Sequence, residues 1–242
     1  MIAVGAVQPA SAQLPNDVPP KRPQHLLVVC IGGADSDPTP EQIAGTAARG
    51  DGNSGLYQLC NDLRRDRVVA EYFNWNGTRA GQFMELPPPL ARGIALFIRE
   101  HLQRHPFDAL AIVGDSWGGQ TALEVARLLL QETPLAIQAM VFLDGGSLLR
   151  ARKPAGLALN VNRTVNYFTR NGFVWGRLPE HSSLLNIDLG DKANGYLRDG
   201  GPAYDAPFDI RAHVAAEWDG RIHGDIIRRL LDLLTGKEPP SP

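Results

Sequence analysis

A serine with glycine two residues away on either side stands near the middle of the chain, in Gly114-Asp-Ser116-Trp117-Gly118, and its setting suggests a specific chemistry. The apolar run Phe107-Asp-Ala-Leu-Ala-Ile-Val113 leads into it, and Ala122, Val125, Ala126 and Leu129 follow at helical spacing. Gly-x-Ser-x-Gly between a strand and a helix is a nucleophile elbow. So tight a turn strains the serine backbone, and side chains at Gly114 and Gly118 would collide with it. The turn lifts the hydroxyl clear of the sheet and leaves the Trp117 N–H aimed where an oxyanion would form. A glycine-rich strand–helix turn with a passive serine is the bland alternative.

A serine hydroxyl barely ionises near neutrality, so it needs a base within hydrogen-bond reach, most often histidine. His213 and His223 both lie between the last expected strand and the end of the last helix. His213 is expected on a loop, free to lean over the sheet edge. His223 falls inside the helix beside Ile222, where an imidazole is more often packed, so the reading favours His213 and keeps His223 in reserve. The third group should be a carboxylate that fixes the imidazole tautomer. Asp144 follows the apolar run Ile137-Gln-Ala-Met-Val-Phe-Leu143 and precedes two glycines, whereas the next strand ends in Thr169-Arg-Asn-Gly172 without an acid. Asp144 is therefore the choice, with Asp188 in reserve and Asp209 behind it. Gly32-Gly33-Ala34, straight after the first strand, offers a second oxyanion donor from the N–H of Gly33 or Ala34.

Other chemistry-bearing patterns carry less. Asp35-Ser-Asp-Pro-Thr39 fits a phosphotransferase pattern, but it does not directly follow the strand, and the Gly/Asp/Asn-rich loop around it reads as turn chemistry. His101 and His105 have a metal-binding spacing without a third ligand, so polar residues near a helix C-terminus explain them better. Cys30 and Cys60 match no metal spacing, and whether they pair is left open. No metal or cofactor is implied.

The elements that must position these groups alternate. Strands are expected at 25–31, 68–73, 107–113, 137–143, 164–169 and 183–189, with helices at 53–63, behind Pro87-Pro-Pro89, after the elbow, and over Asp219 to Leu234. Strand–helix–strand order argues for a parallel sheet with right-handed crossovers. A length of 242 residues suits one α/β domain, placed at 25–236 between an N-terminal tail (1–24) and a C-terminal tail (237–242). The run Ala10-Ser-Ala12 looks like the end of a secretory signal but lacks a basic start, so cytoplasm and export both stay open. The 24 basic and 26 acidic side chains, net −2, form no block that would bind nucleic acid, and no stretch is long and apolar enough to span a membrane.

On the elbow, the order Ser116, Asp144, His213 and the alternation of elements, the chain from about Gln24 to Gly236 resembles the α/β-hydrolase family, in particular small lipase- and esterase-like members without a large lid. The resemblance implies a single-domain α/β fold with a mostly parallel central sheet and helices on both faces. It also implies a serine hydrolase acting on carboxylic esters or thioesters. Ser116 would be the nucleophile, His213 the base and then acid, Asp144 the orienting carboxylate, and the N–H groups of Trp117 and Gly33 or Ala34 the oxyanion donors. In this family the acid more often follows the next strand, so Asp144 is a variant placement. A non-catalytic binding protein of the same fold and a peptidase for small substrates are the competing readings. Trp75, Trp117 and Trp175 could line an acyl pocket, with core packing the default for each.

Overall fold

Strand β1 (Leu26–Ile31) buries all its side chains, because alternate residues face opposite sides of a sheet that is covered on both. The computed structural model describes residues 23–33, 54–73, 89–106, 108–132, 135–146, 154, 156–172 and 174–236. Residues 1–22 of the N-terminal tail, the C-terminal tail, Ala34, the Asp35–Thr39 pattern and Trp75 lie outside them.

Among the described residues five further strands join it in one sheet: β2 (Val68–Phe73), β3 (Ala109–Asp115), β4 (Ala139–Leu143), β5 (Thr164–Phe168) and β6 (Leu184–Asp188). All neighbours are parallel, in the order β2-β1-β3-β4-β5-β6. The chain runs outward from β1 to β2 and then returns to the other side of β1, so the order reverses between β1 and β3. Ligands of open parallel sheets bind outside the carboxyl ends of the strands at such a switch point. The register brings those ends level, with Ile31 opposite Gly114, Asp115 opposite Leu143, and Leu143 opposite Tyr167.

Helices cover both faces. Leu26, Val28 and Cys30 pack with Leu56, Leu59 and Leu63 of α1 (Gly55–Leu63) and with Ile222, Ile226 and Leu230 of the last helix. Leu27, Val29 and Ile31 pack with Ile94 and Ile98 of α2 (Pro89–Arg104) and with Ala122, Val125 and Leu129 of α3 (Trp117–Glu132). Each fully buried Leu or Ile stabilises the fold by about 1.5–3 kcal/mol. The α1 helix starts at the Ser54 N-cap, whose hydroxyl accepts from the Tyr57 N–H at 3.1 Å. Cys30 and Cys60 are free, buried and hydrogen-bonded to each other, and that contact together with burial pushes the Cys30 thiol up. His101 bonds Asp108 through Nε2 at 3.1 Å, and Asp108 also meets His25 Nδ1 at 3.2 Å. No helix among the described residues is long and apolar enough to cross a membrane.

One expectation is corrected. His213 is not on a loop: it lies in a helix, α4 (Ile210–Trp218), which precedes α5 (Gly220–Thr235). The α4 helix buries only Ala212, Ala216 and Glu217, so it has no long apolar stripe to announce it. The small alanines allow close packing against α1, where a Cβ on Gly55 would stand 2.1 Å from the Glu217 carbonyl oxygen. Asp219 ends α4 and caps α5 through the Arg221 N–H at 2.9 Å, in keeping with the expected start of the last helix.

Candidate active site

One residue, Ser116, separates the end of β3 from the start of α3, and its φ of 47° lies in the left-handed region. The turn needs its glycines. A Cβ on Gly114 would lie 2.6 Å from the Gly118 carbonyl oxygen, and one on Gly118 would lie 2.0 Å from that of Ile31. The strained serine is held through its backbone: its N–H donates to Leu143 at 3.1 Å, and its carbonyl accepts from Gly119 at 3.0 Å and Gly146 at 2.8 Å. Strain of this kind persists only where the surroundings over-determine it.

Ser116 Oγ stands 2.9 Å from His213 Nε2, and His213 Nδ1 stands 2.8 Å from Asp144 Oδ2. Three residues far apart in sequence thus form one hydrogen-bonded chain across the carboxyl ends of β3 and β4. Its direction follows from chemistry. An ionised carboxylate only accepts, so Nδ1 carries the proton and donates to Asp144, leaving Nε2 to accept the serine proton. This tautomer is inferred from the network. Ser116 is 7% exposed and Asp144 fully buried, so little water competes for these bonds.

Asp144 has a φ of 46° and receives more than the imidazole. The Thr169 N–H donates to Oδ1 at 2.8 Å, and to Oδ2 donate the Thr169 hydroxyl at 2.8 Å and Asn171 Nδ2 at 3.1 Å. Sequence reasoning passed over these two residues, having noted only that their strand end lacks an acid. The signal available was a Thr and an Asn at the end of the next strand, where no acid stands. Among the described residues there is no group of three or more His, Cys, Asp or Glu that could hold a metal ion.

The reserve candidates are elsewhere. His223 is buried and donates from Nε2 to the Glu217 carbonyl at 2.7 Å, and burial lowers its pKa below the ordinary 6.5. Asp188 pairs with Arg170 at 2.9 Å, and Asp209 caps α4 by accepting from the Arg211 N–H at 3.0 Å. Of the expected oxyanion donors, Trp117 opens α3, where N–H groups point out of the helix end. Gly33 runs so close to Ser116 that a Cβ there would lie 2.8 Å from Ser116 Cβ and 2.7 Å from Asp115 Oδ2. Ala34 is outside the described residues. Trp175 is a core residue, 3% exposed and edge-on to Phe142 at 5.4 Å between ring centroids.

No protein-family model and no curated protein sequence matches the chain. Solved structures do match. A protein of unknown function from Agrobacterium tumefaciens, provisionally named an alpha/beta hydrolase, is 13% identical with a TM-score of 0.52, the match covering 93% of this chain and 92% of that one. An α/β serine hydrolase without lid from Xanthomonas campestris is 15% identical with a TM-score of 0.43, over 89% of this chain and 84% of that one. A cutinase-like protein from Cryptococcus sp. is 12% identical with a TM-score of 0.44, over 90% of this chain and 98% of that one. With six parallel strands in this order, helices on both faces, and a match to the first of these structures along nearly its whole length, the chain has the α/β-hydrolase fold.

Proposed function

We propose that this protein is a serine hydrolase that cleaves carboxylic esters or thioesters by acyl transfer through Ser116. The observation that carries the reading is the unbroken hydrogen-bonded chain from Ser116 Oγ through His213 to the buried Asp144, at 2.9 Å and 2.8 Å. Those distances lie within the range proton transfer requires.

In the first half-reaction Ser116 Oγ bonds to the substrate carbonyl carbon while its proton passes to His213 Nε2. The carbonyl oxygen becomes an oxyanion, stabilised by the Trp117 N–H at the start of α3 and the Gly33 backbone beside the serine. Collapse breaks the bond to the leaving alcohol or thiol, which takes the proton from Nε2. Water then repeats the sequence against the acyl-enzyme, giving its proton to Nε2, and Ser116 leaves with that proton restored. Asp144 remains ionised throughout and stabilises the transient imidazolium.

Labelling with an alkyl fluorophosphonate, followed by mass-spectrometric mapping, tests the reading. The expected result is modification at Ser116, absent in Ser116→Ala and strongly slowed in His213→Ala, together with Ser116-dependent turnover of esters or thioesters of graded chain length. Folded protein that neither labels nor turns over any of them would overturn the reading in favour of a binding protein of the same fold.

A further inference from the structure

The segment 169–171 touches both the acid and the path to the base. Asp144 is fully buried, and of the groups that donate to its carboxylate only His213 belongs to the proton path. The others are the Thr169 N–H, the Thr169 hydroxyl and Asn171 Nδ2, at 2.8, 2.8 and 3.1 Å. Asn171 Nδ2 also donates to Thr169 Oγ1, so the hydroxyl is turned with its proton toward Asp144. Such donors hold a buried carboxylate in one orientation.

The same segment holds the chain that leads to α4. The Asn171 carbonyl accepts from the Phe208 N–H at 2.8 Å, and the Arg170 N–H donates to the Tyr204 carbonyl at 2.9 Å. Phe208 stands two residues ahead of Ile210, where α4 begins, and is held at a φ of 56°, a costly conformation for an aromatic residue. Asn171 thus grips Asp144 with its side chain and anchors the entry to the His213 helix with its backbone.

We infer that Thr169 and Asn171 are positioning residues for acyl transfer, holding Asp144 aimed at His213 Nδ1 and fixing α4 relative to it. The inference rests on the acyl-transfer reading of the site. It goes further in assigning a role to two residues outside the Ser116–His213–Asp144 chain.

The test compares Thr169→Val, Thr169→Ser and Asn171→Ala with the wild type, each checked for folding by thermal unfolding. Thr169→Val keeps the shape and the backbone donor but removes the hydroxyl. It should lower kcat about ten- to a hundredfold while KM stays within about twofold. Thr169→Ser should restore most of the loss. Asn171→Ala, which keeps its carbonyl on Phe208, should lose at least as much as Thr169→Val. The low-field proton resonance of His213 Nδ1–H, read without substrate, should shift in Thr169→Val and return in Thr169→Ser. Wild-type kcat in both Thr169→Val and Asn171→Ala, or an unmoved resonance, would overturn the inference. Should the wild type prove unreactive to fluorophosphonate and to esters, the functional reading falls, and the resonance still decides whether Thr169 and Asn171 set the Asp144–His213 bond.

Discussion

Ser116 and Asp144 follow adjacent parallel strands and share a left-handed backbone, with φ of 47° and 46°, and both are joined to His213. The serine pays a steric cost for this conformation, whereas Asp and Asn tolerate it well. Asp144→Asn therefore leaves the backbone unstrained and isolates the charge. The amide has one acceptor oxygen, and its NH2 would face the donors of Thr169 and Asn171 or the imidazole. We expect kcat to fall about 10³- to 10⁴-fold, as when an orienting carboxylate is lost from a serine–histidine–aspartate triad. Unsatisfied buried donors should also lower stability by about 1–3 kcal/mol. Steady-state kinetics beside a thermal melt separates the two effects, and a variant with full kcat would exclude Asp144 as the orienting acid.

The two histidines of the last helices should part company under substitution. His213→Ala removes the group bonded to Ser116 and should abolish nearly all turnover with little change in stability. His223→Ala removes the Nε2 hydrogen bond to the Glu217 carbonyl and packing in the core, so it should destabilise by about 1–3 kcal/mol yet keep most activity when folded. Its pH signature follows from burial, which lowers the folded pKa below the unfolded 6.5. Above 6.5 both states are neutral and the stabilising contribution is intact; as pH falls from there toward the folded value, the unfolded state gains the proton first and stability is lost. Denaturant unfolding at several pH values should show this slope in the wild type and a smaller one in His223→Ala.

Glycine substitutions should sort by what a Cβ would meet. Gly118→Ala drives a methyl to 2.0 Å from the Ile31 carbonyl oxygen and should unfold the elbow or displace β1, with loss of soluble, active protein. Gly93→Ala in α2 and Gly224→Ala in α5 meet nothing within 4 Å. Each should instead stabilise by about 1 kcal/mol through helix propensity. Melting temperatures of the three variants suffice, and a stable, active Gly118→Ala would contradict the elbow geometry.

The strands could be read from sequence because parallel strands buried on both faces are written as unbroken apolar runs, Leu26–Ile31 being the plainest. Ser116 could be read because its turn requires Gly114 and Gly118. The α4 helix could not, since its core contacts are Ala212, Ala216 and a glutamate, which leave no apolar period. The distinction drawn between a loop-borne His213 and a helical His223 therefore had the wrong basis: both are helical, and they differ in the partner each ring meets, Ser116 for one and the Glu217 carbonyl for the other. Thr169 and Asn171 were out of reach for another reason. Their contact with Asp144 depends on the β4–β5 register, which sets Leu143 against Tyr167 and which no local pattern encodes.

Acid stability should depend on Asp225, which joins the sheet to α5. It accepts from the Tyr167 hydroxyl at 2.6 Å, the Tyr196 hydroxyl at 3.3 Å and Arg229 Nε at 2.9 Å. Burial acts to raise its pKa, but the hydrogen bonds from Tyr167 and Arg229 outweigh it and hold the carboxyl below 3.8. Burial and the neighbouring carboxylate push the Tyr196 phenol up to about 12. A folded pKa below the unfolded one means that the stabilising contribution is complete above the unfolded value and is lost as pH falls through the folded one. In Asp225→Asn the two tyrosines and Arg229 face a neutral amide, so the protein should be less stable near pH 7 and should lose less on acidification. Urea unfolding from pH 7 down to about pH 2 measures the difference, and the wild-type and variant stabilities should converge as the carboxyl takes up its proton. Curves that stayed parallel over that range would mean that Asp225 has the same pKa in both states and that its hydrogen bonds give the charged form no advantage.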